Sequence, residues 1–353
     1  MLGRGRHVPY MAGMVPLSVL DLSPILQGGD ATQSFRNTRD LAQHAERLGY
    51  KRYWLAEHHN LAGVASAATA VVAGHVAAAT STMRVGAGGV MLPNHAPLVI
   101  AEQFGTLEAM FPGRIDLGVG RAPGSDQITA RALRRNLTGD IDQFPQDVLE
   151  LMAYFHAAQP GQTIRAVPGE GLNVPVWILG SSTYGAQLAA ALGLPYAFAS
   201  HFAPAQMEDA IAIYRRNFRP SEHLEKPYLM LGMSIMAAET DEEAHLLASS
   251  MQQMFISMRT GRPGPLPPPV PGYMESLDPM AQVMLRQTLS CAIIGSPQTV
   301  KRELAAFVER TGADELMVTG QIYDHAARVR SYEIAAGARD ELNAEAGAMH
   351  ADG

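Results

Sequence analysis

Apolar and polar positions alternate along this chain on two length scales. Short continuous apolar runs of strand length recur, and each is followed by a stretch whose apolar residues return at helical spacing. Val15 to Leu22 is the first run, closed by Asp21, Ser23 and Pro24. Thr32 to Leu48 then places Phe35, Leu41, Ala42, Ala45 and Leu48 on one helical face, with Gly49 as a natural C-terminal stop. Lys51 to Glu57 is the second strand. The beat continues through a helix over Val64–Ala79, a strand over Met83–Leu92, a helix over Ala96–Met110 and a strand over Ile115–Gly120. A helix near Asp147–His156 leads to a strand at Val174–Leu179, a helix at Tyr184–Leu192 and a strand at Pro195–Ser200. Ala205–Phe218 reads as helix, Tyr228–Ala237 as strand and Asp241–Met258 as helix. A helix at Thr299–Arg310, a strand at Glu315–Thr319 and a terminal helix from about His325 to Leu342 complete the pattern. About eight strands in strict alternation with helices predict an α/β chain closed as a (β/α)8 TIM barrel rather than an open sheet. In such a barrel the strand C-termini all face one mouth.

One segment breaks the beat. Gly261 to Tyr273 holds six prolines in thirteen residues, which excludes helix or sheet interior. It is expected to be a surface excursion or part of a lid. The organisation expected is a leader over residues 1–14, one barrel over 15–343 with a Pro-rich insertion at about 259–290, and a tail over 344–353. The leader carries Arg4 and Arg6 but no apolar stretch of signal-peptide length, and Met11 and Met14 are alternative starts.

Composition narrows the function classes. The net charge of -7 offers no broad basic surface, so nucleic acid is not an expected partner. Apolar stretches break well short of ~18 residues, so no membrane span is expected. Cys291 is the single cysteine, which rules out an internal disulfide and makes a reducing compartment, the cytoplasm, the simplest home. It sits beside Ala292-Ile293-Ile294 and reads as a structural residue.

Chemistry clusters where strands end. Tyr53-Trp54-Leu55-Ala56 runs directly into Glu57-His58-His59-Asn60, three strongly polar or ionisable types at one strand tip. His58 and His59, adjacent in extended backbone, face opposite ways and would not share an ion, and no His-x-His or His-Glu-x-x-His run exists, so no metal is expected. Gly86-Ala87-Gly88-Gly89-Val90-Met91 leaves side-chain space empty, for close approach by a ligand or for tight strand packing. Gly118-Val119-Gly120-Arg121-Ala122-Pro123-Gly124 fails as a dinucleotide fingerprint because Pro123 and Gly124 lead into a loop. It leaves Arg121 just past a strand end, suited to a phosphate or to a surface ion pair. Gly180-Ser181-Ser182-Thr183-Tyr184 passes through hydroxyls into a helix, and serves either as a phosphate cradle or as an ordinary N-cap. His201, followed by Phe202, is a further strand-end imidazole, for packing or for substrate contact.

Taken together, Trp54 to Asn60, Gly88 to His95, Gly113 to Gly118 and Leu179 to Ser182 make the chain similar to the bacterial luciferase-like flavin-dependent monooxygenases, from about Leu17 to Arg339. Gly120 to Gln127, Gly-Arg-Ala-Pro-Gly-Ser-Asp-Gln, matches an uncharacterised luciferase-like subgroup. The resemblance implies a barrel with an insertion after the seventh helix, FMN at the strand C-termini, reduced flavin from a separate NAD(P)H:flavin reductase, and a homodimer. It implies O2 capture as a flavin C4a-(hydro)peroxide and oxygen transfer to a small organic substrate. By position, His58 falls at the histidine of that chemistry, with Glu57 tuning nearby groups. Gly88-Gly89 falls at a non-prolyl cis peptide beneath the isoalloxazine, Arg121 at a phosphate-contacting arginine, and Gly180 to Tyr184 at a second phosphate loop. That loop is shorter than in true luciferases and has Gly180 in place of their acidic residue. Met91, Tyr184 and Phe202 would help line the pocket. The alternatives are a deazaflavin (F420)-dependent hydride-transfer oxidoreductase and a flavin-binding protein without turnover. Retention of Glu57, His58 and Arg121 weighs against the second.

Overall fold

The computed structural model describes residues 15–122, 127–133 and 143–351. The leader over 1–14 and the loop Pro123–Asp126 lie outside the described residues. Nine strands follow in chain order: β1 (Leu17–Asp21), β2 (Arg52–Leu55), β3 (Arg84–Met91), β4 (Ile115–Gly120), β5 (Val176–Gly180), β6 (Tyr196–Phe198), β7 (Leu229–Ala237), β8 (Ala292–Gly295) and β9 (Glu315–Thr319). The helices are α1 (Ala31–Arg47), α2 (Thr69–Ala79), α3 (Pro97–Met110), α4 (Gln127–Leu133), α5 (Phe144–Phe155), α6 (Thr183–Leu192), α7 (Met207–Asn217), α8 (Asp241–Arg259), α9 (Tyr273–Ser276), α10 (Pro279–Thr288), α11 (Pro297–Thr311) and α12 (His325–Ala351). Strands β1 to β7 pair in sequence and in parallel, and β9 closes the ring between β7 and β1. The fold is the (β/α)8 barrel that the alternation predicts.

The strands are apolar on both faces because one face fills the barrel and the other meets the helices. In β2 the alternation is direct: Tyr53 and Leu55 pack into the core beneath the helices, while Trp54 and then Ala56 turn inward. Inside, Trp54 meets Trp177 of β5 edge-on with ring centroids 5.2 Å apart, among Leu20, Ala197, Met230 and Met317. Side chains thus fill the interior, which leaves the ends of the barrel for ligands. At the N-terminal end Arg52 reaches Asp116 at 2.7 Å and Glu315 at 2.9 Å. Arg84 holds the other Asp116 oxygen at 2.7 Å, and the Tyr228 hydroxyl donates to Glu315 at 2.8 Å.

Close packing of β3 on β4 answers part of the glycine question. A Cβ on Gly86 would stand 2.3 Å from the Asp116 carbonyl oxygen, and one on Gly89 would stand 2.6 Å from that of Gly118. Tight packing therefore accounts for Gly86 and Gly89. Gly88 turns inward, where a Cβ would lie 2.9 Å from the Trp54 ring. The β3–β4 register slips between Gly88 and Val90, and the Gly88–Gly89 peptide is cis.

Six elements differ from the sequence reading, two of them the short helices α9 and α10 within the stretch expected as a Pro-rich insertion. Ala292–Gly295, passed over as apolar surroundings of Cys291, is a strand. Ser234 pairs with both Thr319 and Ala292, so β8 lies on the β7 edge opposite β9, above the three-residue β6. It adds a ninth strand without entering the closed ring of eight. The helix expected from Val64 begins at Thr69, because Val64 bridges to Pro24 instead. The seven-residue α4 had no counterpart in the apolar pattern. Helix α12 continues past Leu342 to Ala351, through most of the stretch assigned to a tail.

The Pro-rich excursion crosses the mouth side of the barrel. Leu266 is buried and exchanges backbone hydrogen bonds with Ile25 and Gln27, both at 2.8 Å, in the loop after β1. Gly63, in the segment after β2, lies so close beneath it that a Cβ there would stand 2.3 Å from the Gly264 carbonyl oxygen.

Candidate active site

The strand-end residues meet at the C-terminal mouth, but not as one cluster. The alternation of β2 carries on past its last pair: Ala56 turns inward, Glu57 toward the helices, His58 inward and His59 outward again. Glu57 is buried, and its Oε1 accepts hydrogen bonds from His95 Nε2 at 2.8 Å and His59 Nε2 at 3.0 Å. Burial pushes the Glu57 carboxyl up, but the bonds and charge from His95 and His59 outweigh it and hold the carboxyl below the ordinary range. Glu57 is thus bonded to His59 and His95 and not to His58. His95 was quoted in the glycine-rich motif but not singled out, since it stands 38 positions from Glu57 with no local spacing to mark the pair.

His58 stands on the other face. Burial lowers its imidazole below the ordinary range, opposed by the charge of Glu57, and its Nδ1 is buried without a hydrogen-bond partner. His201, beyond β6, comes near enough to His58 for the two to disfavour each other's charge. Burial first and then His58 push the His201 imidazole down to about 4. Its Nδ1 is also buried and unpartnered. Gly232 of β7 makes this placement possible, because a Cβ there would stand 2.3 Å from that nitrogen. Phe202 lies 5.6 Å from the His201 ring, ring centroid to centroid, and is half exposed.

A second group of residues forms at the ends of β4 and β5. The Arg121 guanidinium stacks 4.0 Å over the Tyr184 ring and has no carboxylate partner among the described residues. Tyr184 sits in the first turn of α6, whose N-cap is Ser182 in extended geometry with no side-chain capping bond. The hydroxyls of Ser181, Ser182 and Thr183 are likewise uncommitted among the described residues. A fixed cation, three hydroxyl groups and the unpaired N–H groups of a helix N-terminus are groups of the kind that can hold a phosphate-sized anion. Gly180 has room for a Cβ, since the nearest atoms to one would be 3.5 Å away, so packing does not explain that glycine. Met91 closes the wall between the two groups, its sulfur 3.4 Å from where a Cβ on Gly120 would stand.

Comparison with known proteins agrees with this architecture. The sequence profile of the luciferase-like monooxygenase family matches residues 15–315. A luciferase-like monooxygenase of Escherichia coli strain K12 is 54% identical over 328 residues, 93% of this chain and 98% of that protein. Among solved structures, apo-MsnO8 has a TM-score of 0.83 and 34% identity, covering 92% of this chain and 98% of its own. A Type II Baeyer-Villiger monooxygenase, the oxygenating constituent of 3,6-diketocamphane monooxygenase from Pseudomonas putida in complex with FMN, shares the fold with a TM-score of 0.67 and 18% identity. That match covers 91% of this chain and 96% of the other. Among the described residues no helix is long and apolar enough to cross a membrane.

Proposed function

The chain belongs to the luciferase-like monooxygenase family, and on that premise we propose that it is a flavin-dependent monooxygenase using reduced FMN and O2 to oxygenate a small organic substrate. The observation that carries the reading is the presence in one barrel mouth of an uncommitted anion site and uncommitted buried imidazoles. The residues fit a flavin mononucleotide: its single phosphate has a place at Arg121 and the N-terminus of α6, which a nucleotide-free ring system would leave unused. The reading includes a separate NAD(P)H:flavin reductase as the source of reduced cofactor, a homodimer, and a cytoplasmic setting.

Bound reduced FMN supplies the two electrons that activate O2, so that one oxygen atom enters the substrate and the other leaves as water. The chain supplies position and proton control. Arg121, Ser181, Ser182 and Thr183 bind the phosphate, and Tyr184 holds the guanidinium flat for it. Gly88, Gly89 and Met91 are the residues that would hold the ring system on its β3 side. His58 presents a ring nitrogen with no hydrogen-bond partner among the described residues, available to donate or accept a proton at the reacting atoms. His201 and Phe202 line the substrate side. The Trp54 and Trp177 floor keeps water out from below.

The test titrates the apoprotein with FMN and with F420, then photoreduces the FMN complex under 18O2 with a panel of small substrates. Tighter FMN binding and label in a product support the reading, and His58→Asn is expected to lower product per flavin oxidised at least ~10-fold with FMN affinity unchanged. Tighter F420 binding would replace it with deazaflavin-dependent hydride transfer. Flavin oxidation without labelled product from any substrate would replace it with a binding protein.

A further inference from the structure

We propose that Glu57, His59 and His95 bind one divalent first-row cation, Zn2+ or an ion of similar ligand preference, at a site separate from the barrel mouth. Two imidazoles and a carboxylate are the donor set of three-ligand sites that leave further positions to water. Here they come from two places in the chain, the end of β2 and the turn between β3 and α3. Their ligand atoms lie within 4.8 Å of one another. The carboxylate oxygen is 2.8 Å from one imidazole nitrogen and 3.0 Å from the other. A tetrahedral ion at ~2.1 Å from each ligand separates neighbouring ligand atoms by about 3.4 Å, so the carboxylate oxygen and each imidazole nitrogen would part by about half an ångström to take it.

The surroundings support an ion rather than a sealed hydrogen-bond pair. Glu57 is buried, and its hydrogen-bond partners among the described residues are these two imidazoles, with no lysine or arginine beside it. The cluster opens onto a cavity of about 320 Å³ between the barrel wall and the helices, lined also by Thr69, Val71, Val90, Ile100 and Gln103. That cavity gives access to the site and space for coordinated water. It does not include His58, which faces the opposite way. An ion here would fasten the end of β2, which carries His58, to the segment following Gly88 to Met91. Its place is that of a clamp behind the two walls of the mouth.

A metal-free triad has the same hydrogen bonds, and binding measurements separate the two. The full-length protein is treated with a chelator and titrated with Zn2+ by calorimetry and with Co2+ by visible absorption. One equivalent is expected to bind and to raise Tm, with His59→Ala, His95→Ala and Glu57→Gln each weakening affinity at least about 100-fold. His223→Ala serves as the control, because His156, Glu222 and His223 form an exposed cluster that could take up ions adventitiously. The proposal is overturned if the wild-type protein takes up no ion at millimolar Zn2+, if the signal survives in the His59 and His95 variants, or if it is lost in His223→Ala. Hydrogen exchange on the wild-type protein gives a reading that does not depend on folded variants. Zn2+ is expected to slow exchange in residues 56–60 and 92–97, and protection confined to the region of His156 and His223 would also overturn the proposal. Neither measurement uses flavin, so the outcome stands apart from the proposed monooxygenase activity.

Discussion

The two ends of the barrel treat buried ionisable side chains in opposite ways. At the N-terminal end Arg52, Arg84, Asp116, Glu315 and Tyr228 satisfy one another, and Trp54 donates its indole N–H to Asp116 at 3.1 Å. At the mouth His58 and His201 each keep a buried nitrogen without a partner, and Arg121 meets a ring rather than a carboxylate, among the described residues. A buried polar atom left without a partner costs about 1–3 kcal/mol. At the paired end the indole N–H of Trp177 is the group left without a partner among those that pack on Arg52, so the contrast lies in the ionisable groups: paired where they hold the strands in register, and left open at the mouth, where a ligand can complete the bonding.

The sharpest way to break this contrast is to remove one member of the paired end. Arg52→Ala removes the cation that Asp116 and Glu315 share, leaving them Arg84 and Lys51, and is expected to lower stability by about 3 kcal/mol. FMN affinity, measured where the variant is still folded, should hold, because Arg52 is at the far end from Arg121. A loss under about 1 kcal/mol in chemical denaturation would mean that the network is not what holds that end together.

A smaller effect separates the two kinds of burial by pH. The folded state keeps His201 neutral down to about 4, whereas the unfolded chain binds its proton near 6.5. The depressed value means that stability is fully present above 6.5 and is lost as pH falls from there toward 4, by about 1–3 kcal/mol. Replacement by Asn should flatten that part of the curve. Asp21 behaves differently: burial raises its carboxyl, but Arg328, Tyr53 and Thr38 together hold it below 3.8. Its contribution therefore persists through the window in which His201 loses its own, and disappears only in stronger acid. Superimposable pH curves for the wild type and His201→Asn would remove His201 from the set of constrained groups.

The sequence announced the eight barrel strands because each is a mostly apolar run of strand length between helical stretches, and the bounds of β4 follow from it to the residue. It hid β8 because four residues beside a cysteine are too short to stand out, and their strand character comes from pairing with β7. The placement of His58 and Arg121 just past the ends of β2 and β4 was legible, because it follows from where the apolar runs stop. The mouth was illegible wherever a role depends on a distant partner. Glu57 reads as a support for nearby polar groups, but its partner His95 stands far along the chain, with no local spacing to name it. The depth of His201 depends on the absence of a side chain at Gly232, which nothing local reveals.

The smallest expected effect decides what the β5–α6 junction is for. An N-cap side chain that bonds the first turn is worth about 1 kcal/mol. Asp30 makes that bond at α1 and Thr240 makes it at α8, while Ser182 at α6 does not. Asp30→Ala should therefore cost about 1 kcal/mol, and Ser182→Ala only a few tenths. For FMN the order should reverse, with Asp30→Ala silent, Ser182→Ala weakening binding a few-fold, and Arg121→Ala weakening it by ~10-fold or more. If Ser182→Ala costs as much stability as Asp30→Ala and leaves FMN affinity untouched, the hydroxyls at this junction are caps and the phosphate lies elsewhere. If the order reverses as expected, an unused cap is a binding residue, because its oxygen and the N–H groups around it are kept for a ligand rather than for the helix.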